Sequence, residues 1–319
     1  MPRSGERLLL FGASTGLRLP SEFRAELKVV QDFRPDFLAL EKAGFTVAPW
    51  AEGHGFDTAL LLLGRHRREN EARFAEAIER VRPGGLILAA GTKRNGAPSF
   101  RKRISELLPI EDHLSKHHGT AFWLRRPGRV EDGVLASLSA PALASSEGFE
   151  TAAGGFSEGA VDPGSRLLAE CLPQDISGEV ADFAAGWGYL SVQVARRFPV
   201  SRVDLYDAHY SSIEAARRNL AKHAPGAGCR FFWHDLLSEP VAHRYDVIVM
   251  NPPFHRSRAA EPDIGRAMIG IAAKTLKQRG RLFLVANRGL PYEAVMQTAF
   301  ARHGELRRDG TYKVLWGQQ

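Results

Sequence analysis

Short apolar runs recur along the chain, each bounded by turn-forming or charged residues, and several are too continuous for a strand with one wet face. Tyr245–Met250 (YDVIVM) reads as a buried parallel strand, as do 281–286 (RLFLVA) and 85–90 (GLILAA). The stretch opening at Glu179, then 201–207 (SRVDLYD) and 229–235 (CRFFWHD), add three more strands. Helical spacing predicts helices over 71–80, from just after Gly188 to near Phe198, and over 265–276. Turns at 82–85 (RPGG) and 278–280 (QRG) precede the strands 85–90 and 281–286.

The pattern repeats. The run from Phe56 to Arg67 (FDTALLLLGRHR) aligns without a gap on Tyr245 to Arg256 (YDVIVMNPPFHR). A helix and a second strand follow in both places, an internal repeat at domain scale. The two copies are unequal: Asn251-Pro252-Pro253-Phe254 in the second is matched by Leu62-Leu63-Gly64-Arg65 in the first. Leu62 has no side-chain acceptor, so the first copy lacks the polar corner of the second. A stretch rich in Ser, Ala and Pro over 133–146 divides the halves. The predicted organisation is 1–130, a linker over 131–147, and 148–319.

Asn251 follows the end of a predicted buried strand, where open α/β sheets place their ligands. Asn supplies a side-chain carbonyl, Pro252 stiffens the turn, and Phe254 adds a flat apolar face. Two carbonyl acceptors beside an aromatic plate suit a planar ring bearing an amino group. A plain strand-to-loop turn is the alternative for the corner alone. Upstream, Gly186 and Gly188 fall in a strand-to-helix turn, where glycine permits positive φ and close ligand approach. Asp207 ends the next strand, about 20 residues on, the spacing of an acid that binds ribose hydroxyls. Asp235 ends the strand after that and could reach an adenine amino group. Asp at a strand end is often only a cap or turn residue, but the ordered set of glycine loop, Asp207, Asp235 and Asn251 at successive strand ends points to one ligand crevice.

Composition narrows the classes. The chain has 319 residues, 44% hydrophobic, enough for two ordinary cores. A net charge of +7 suits a polyanionic partner, with a local cluster at Lys93-Arg94 and Arg101-Lys102-Arg103. Cys171 and Cys229 lack companions at ligand spacing, so neither a disulfide framework nor a zinc site is expected. His117-His118 reads as a structural or surface pair. The apolar run near the N-terminus is too short for a signal peptide, and no stretch approaches the roughly 20 apolar residues of a membrane span. These features predict a cytoplasmic protein with no membrane and no metal.

At these residues the chain resembles class I S-adenosylmethionine-dependent methyltransferases, and more closely the family of ribosomal RNA small subunit methyltransferase C, which acts on guanine N2. The resemblance extends over 155–165 (GFSEGAVDPGS), the Asn251–His255 corner, 285–293 (VANRGLPYE) and 312–315 (YKVL). It implies an α/β fold of two tandem Rossmann-like methyltransferase domains, the N-terminal one degenerate. It implies S-adenosylmethionine as cofactor, with Asp182, Ala184, Gly186 and Gly188 in its loop, Asp207 at the ribose and Asp235 at the adenine. Asp162 would approach the methionine end. Asn251, which also borders the cofactor, would position the target base with Pro252 and Phe254. The implied partner is ribosomal RNA or the small ribosomal subunit. Two departures stand out: Ala184 replaces the usual first glycine of the loop, and Ser257 replaces a glycine after the motif His255. The corner by itself would also serve an amino-methyltransferase of adenine in nucleic acid or of a protein glutamine. A non-catalytic RNA-binding assembly protein is a further alternative. A nicotinamide dehydrogenase would share the glycine loop and the acid but would leave the Asn251 corner unexplained.

Overall fold

Strands buried on both faces need apolar side chains pointing both ways, and the computed structural model builds strands on the predicted runs. It describes residues 3–139, 145, 147–155, 157, 159–253 and 262–319. The chain divides into two compact units, Met1–Pro141 and Ala142–Gln319.

The first unit runs β1 (Arg7–Phe11), β2 (Glu26–Val30), α1 (Arg34–Lys42), β3 (Thr46–Ala48), β4 (Phe56–Leu62), α2 (Arg67–Arg80), β5 (Val81–Thr92), α3 (Ala97–Ser105), β6 (Asp112–Lys116), β7 (Gly119–Arg125) and α4 (Asp132–Leu138). The second runs α5 (Pro163–Cys171), β8 (Gly178–Phe183), α6 (Tyr189–Arg197), β9 (Val200–Asp207), α7 (Tyr210–His223), β10 (Cys229–Trp233), β11 (Tyr245–Met250), α8 (Pro262–Thr275), β12 (Leu276–Asn287), α9 (Glu293–Ala299), β13 (Arg302–Arg308) and β14 (Tyr312–Gln318). Each unit holds a seven-stranded sheet, in the orders β3-β2-β1-β4-β5-β7-β6 and β10-β9-β8-β11-β12-β14-β13. The strands are parallel except where β7 and β14 pair antiparallel to their neighbours. The chain is therefore a tandem of α/β units with one topology used twice. Among the described residues no helix is long and apolar enough to cross a membrane.

In the second unit Val247 and Val249 pack with α5, α6 and α7, while Ile248 and Met250 pack with α8 and α9. This alternation makes a three-layer sandwich and accounts for the unbroken apolar run in β11. The predicted turns at 82–85 and 278–280 become irregularities inside long strands. Phe56 pairs Val81 and Thr58 pairs Leu86; likewise Tyr245 pairs Leu276 and Val247 pairs Arg281. Both units thus loop out the same stretch at the same register. Within the stretch read as a linker, 131–147, lies α4, whose Leu138 is buried in the first unit's core. Its small residues read as a connection because the helix is held by packing against α2 rather than by its own composition.

Matching registers let the two units be compared position by position. Phe11 pairs Val30 and Leu61, as Phe183 pairs Tyr206 and Met250. One step on, Gln31 stands where Asp207 stands, and Leu62 where Asn251 stands. Val30 pairs Ala48 as Tyr206 pairs Phe232, so Ala51 takes the place of Asp235. Gln31 fills its corner itself, its amide donating to the Ala13 carbonyl and accepting from the Phe33 N–H at 2.8 Å. The described segment between β1 and β2 also contains no helix, whereas α6 joins β8 to β9. The first unit therefore has apolar residues in place of Asn251 and Asp235, a neutral and internally bonded Gln31 in place of Asp207, and no described helix after β1 to match α6.

Candidate active site

β11 carries Asn251 to the carboxyl end of the sheet. The Asn251 Nδ2 donates to Asp162 Oδ2 at 2.9 Å and to Ser165 Oγ at 2.8 Å. With its nitrogen committed to Asp162 and Ser165, the amide turns its carbonyl Oδ1 to the other side. No described residue donates to that oxygen. Asp162 is itself fixed: it is the N-cap of α5, and its Oδ2 accepts the Ser165 N–H at 2.7 Å. Both residues are buried. Gly164 makes room for the arrangement, since a Cβ there would lie 3.0 Å from both Asp162 Oδ2 and the Tyr312 ring. Pro252 is buried and Pro253 exposed. Phe254, with His255 and Ser257 of the same motif, lies outside the described residues.

The glycine loop links β8 to α6. Gly188 caps α6 with φ 86°, and a Cβ there would meet Ala216 at 3.0 Å, so this glycine serves the packing of α7. Gly186 has φ 54° and open space where a Cβ would be, leaving its backbone approachable. Ala184 keeps the left-handed geometry expected of a glycine, with φ 59°. That conformation costs an L-residue about 1–2 kcal/mol, a strain the loop carries at Ala184.

Three acids surround or follow this loop. Asp182 is fully buried; its Oδ2 accepts from the Ser191 N–H (3.0 Å) and hydroxyl (2.7 Å), while Oδ1 has no partner. Burial pushes its carboxyl up to about 7, against the pull of the Ser191 bonds, and nearby Asp207 adds to the rise. Asp207 accepts the Gly186 N–H on Oδ2 and the His209 N–H on Oδ1, each at 2.8 Å, so it ties the loop to β9. Burial raises this carboxyl too. Asp235 lies just past β10, and its oxygens cap its own turn through Leu237 N–H (3.0 Å) and the Ser238 hydroxyl (2.6 Å). Among the described residues no hydrogen bond joins Asp235 to the other acids.

The structure thus joins Asp162 to Asn251, and Asp182 to Asp207 through the loop. It adds residues that sequence reasoning missed. Ser165 shares the hold on Asn251, and Ser191 holds Asp182. Asn219, wholly buried on α7, donates to the Trp187 and Glu150 carbonyls, each at 2.8 Å. Only Ser165 had a readable signal, its place three residues after a capping Asp. The set has the chemistry of a site for a ligand bearing hydroxyl and amino groups: a buried unpaired carboxylate oxygen, an acid with spare lone pairs, and an open glycine backbone. Among the described residues no group of three or more His, Cys, Asp or Glu is placed to hold a metal ion.

The sequence profile of the Methyltransferase small domain matches residues 147–316. Ribosomal RNA small subunit methyltransferase C of Escherichia coli (strain Crooks) is 30% identical over 261 residues, 81% of this chain and 74% of the relative. The chain belongs to the ribosomal RNA small subunit methyltransferase C family. The Escherichia fergusonii member is 29% identical over the same coverage. Among solved structures, a T. thermophilus 16S rRNA N2 G1207 methyltransferase in complex with AdoMet and guanosine aligns with a TM-score of 0.83 and 28% identity, covering 100% of this chain and 89% of that one. The likeness to a family member spans both units, so the degenerate first unit is part of the shared architecture.

Proposed function

We propose that this chain methylates the exocyclic 2-amino group of a guanine in small-subunit ribosomal RNA, with S-adenosylmethionine as donor. The observation that carries the reading is the one-sided fastening of the Asn251 amide, which commits Oδ1 to accepting a hydrogen bond. Asp207 and Asp235 would hold the ribose and adenine of the cofactor, with Asp182, Ala184, Gly186 and Gly188 forming the wall beside it. The cofactor supplies an electrophilic methyl group on a sulfonium. Asn251 Oδ1 and the Pro252 carbonyl accept the two N–H bonds of the target amine. That amine's lone pair is delocalised into the ring, and acceptors on both hydrogens favour its localisation and hold the nitrogen in line for attack. Asp162 and Ser165 act here by keeping the amide from turning over, a different role from the methionine contact implied by resemblance. The family's solved member binding guanosine supports guanine over adenine or a glutamine amide. A base within a helix could not reach this corner, so the substrate nucleotide is unpaired or rotated out of its stack. Ribosomal RNA as substrate places the reaction in the cytoplasm, with residues 148–319 as the catalytic domain.

The test is to map methylated nucleotides by mass in small-subunit RNA from cells with and without the protein, and to repeat the comparison with Asn251→Ala. Loss of one N2-methylguanine in both is expected. An unchanged RNA, or methyl incorporation into DNA or a protein glutamine instead, would overturn the assignment.

A further inference from the structure

We infer that Tyr292 and Lys313 are positioning residues for the target base: they fix the first turn of α8, where the segment that leaves Asn251-Pro252 rejoins the fold. The inference rests on the proposed methyl transfer to that base, but its observations are separate. Residues 285–293 and 312–315 carry part of the family resemblance, yet hold none of the cofactor or target-base residues. Lys313 is buried on β14. Its ammonium donates to the Leu290 carbonyl and to Glu293 Oε1, each at 2.6 Å, and so fastens the turn between β12 and α9. Between those two partners stands Tyr292, fully buried, with its ring against the first turn of α8. A Cβ at Gly265 would overlap the Tyr292 hydroxyl and the ring carbon that bears it, so only glycine lets the helix come down on the ring.

Each part of this brace is costly by itself. An ammonium is seldom buried, since it must give up its water. Glycine inside a helix weakens it relative to alanine. The Tyr292 hydroxyl is buried and has no hydrogen-bond partner among the described residues. Phenylalanine would pack the same ring there without stranding a polar group. Local rules are broken in this way chiefly at functional sites.

The first unit builds the same fold without these parts. Val81 pairs Phe56 as Leu276 pairs Tyr245, and α2 and α8 end just before those residues, so Asn70 corresponds to Gly265. Thr120 pairs Gly91 as Lys313 pairs Ala286, so Thr120 takes the place of Lys313, and Gly119 that of Tyr312. The sheet therefore does not require an ammonium at this position. Residues 63–66 alone join β4 to α2, and Asn70 holds that loop itself, bonding the Gly64 N–H and carbonyl at 2.9 Å each. In the second unit residues 251–261 stand between β11 and α8, and α8 is met instead by Tyr292 from a neighbouring turn. That longer segment carries the Asn251 corner, and its two ends are fixed separately: Asp162 and Ser165 hold Asn251, while Tyr292 and Lys313 hold the start of α8. β14 serves both ends, since the Tyr312 ring lies beside Gly164 in the turn that fastens Asn251.

The experiment compares the full-length parent with Tyr292→Phe and Lys313→Met. Calorimetric titration counts AdoMet-binding sites and gives their affinity, and kcat on small-subunit RNA is expressed per binding site. Since a misplacement of about 1 Å can cost about 100-fold in rate, Lys313→Met should lose about 10- to 100-fold in kcat and Tyr292→Phe about tenfold. AdoMet affinity should be that of the parent in both. Tyr292→Phe should melt no lower than the parent, because what it removes is an unpaired buried hydroxyl. A merely structural role gives the opposite: a lower melting temperature and fewer binding sites, with kcat per site unchanged. That result would overturn the inference. So would a parental kcat in Tyr292→Phe, which decides the matter if Lys313→Met does not fold. A parent that methylates another amine would refute the guanine reading alone, and the same comparison made on that amine would still judge the brace. A parent that transfers no methyl group would refute both.

Discussion

At the scale of single residues, the chemistry turns on an amide with two different ends. Asn251 could present nitrogen or oxygen to a ligand; Asp162 and Ser165 decide the matter by occupying the nitrogen. Asp162→Ala should therefore lower kcat by about 10- to 100-fold, a smaller effect than the 10²–10³ of removing an acceptor outright, while the dissociation constant for AdoMet stays within a few-fold. The lost cap should also reduce stability by about 1 kcal/mol. Calorimetric titration of AdoMet beside steady-state kinetics separates the two roles open to this acid. A large rise in the dissociation constant with kcat preserved would return Asp162 to the methionine end. The residue types were legible as a pattern. Asp162 and Asn251 could each be singled out, but a bond across 89 residues could not be.

Between elements, the junction of β8, the glycine loop and α6 holds a carboxyl that is expensive to ionise. Asp182 keeps its proton up to about 7 in the native state, while the unfolded chain releases it near the ordinary value of 3.8. Between those values the unfolded state binds fewer protons, so native stability falls as pH rises; above about 7 both states are ionised and the difference is constant. Asp182→Asn abolishes this titration and can still accept from Ser191. Urea unfolding at pH 4, 6 and 8 should show the stability of the variant rising relative to the parent across that window, by on the order of a few kcal/mol. A difference that stays flat with pH would mean the carboxyl is ionised throughout. Element positions here were largely legible, since β11 begins and ends where its apolar run does and α6 opens after Gly188. α4 was not, because a short helix of small residues has little signal of its own and is defined by what it packs on.

For the whole molecule, the described cores belong to one unit or the other, and all residues proposed to hold AdoMet come from the second. At 100 times its dissociation constant, AdoMet should stabilise that unit by about 2.7 kcal/mol. Hydrogen exchange should slow across β8, the glycine loop and β9, and β1 to β5 should be unchanged. Equal protection of both units would show that the ligand's effect is shared between them. The tandem plan itself was readable from one gapless repeat, because paired strands of one topology impose the same spacing on their apolar positions.

By itself, the order of residues determined where strands lie, that the fold is used twice, and which strand ends carry polar groups. These follow from local spacing, since burial on both faces demands unbroken apolar runs and turns demand small or polar residues. Tertiary structure decided which atom of Asn251 is free, that Gln31 seals the empty counterpart of Asp207, and that a buried Lys313 meets Leu290 and Glu293. Each of those depends on groups brought together from distant segments, and hydrogen-bond direction and local charge balance are settled only by the neighbours that folding supplies.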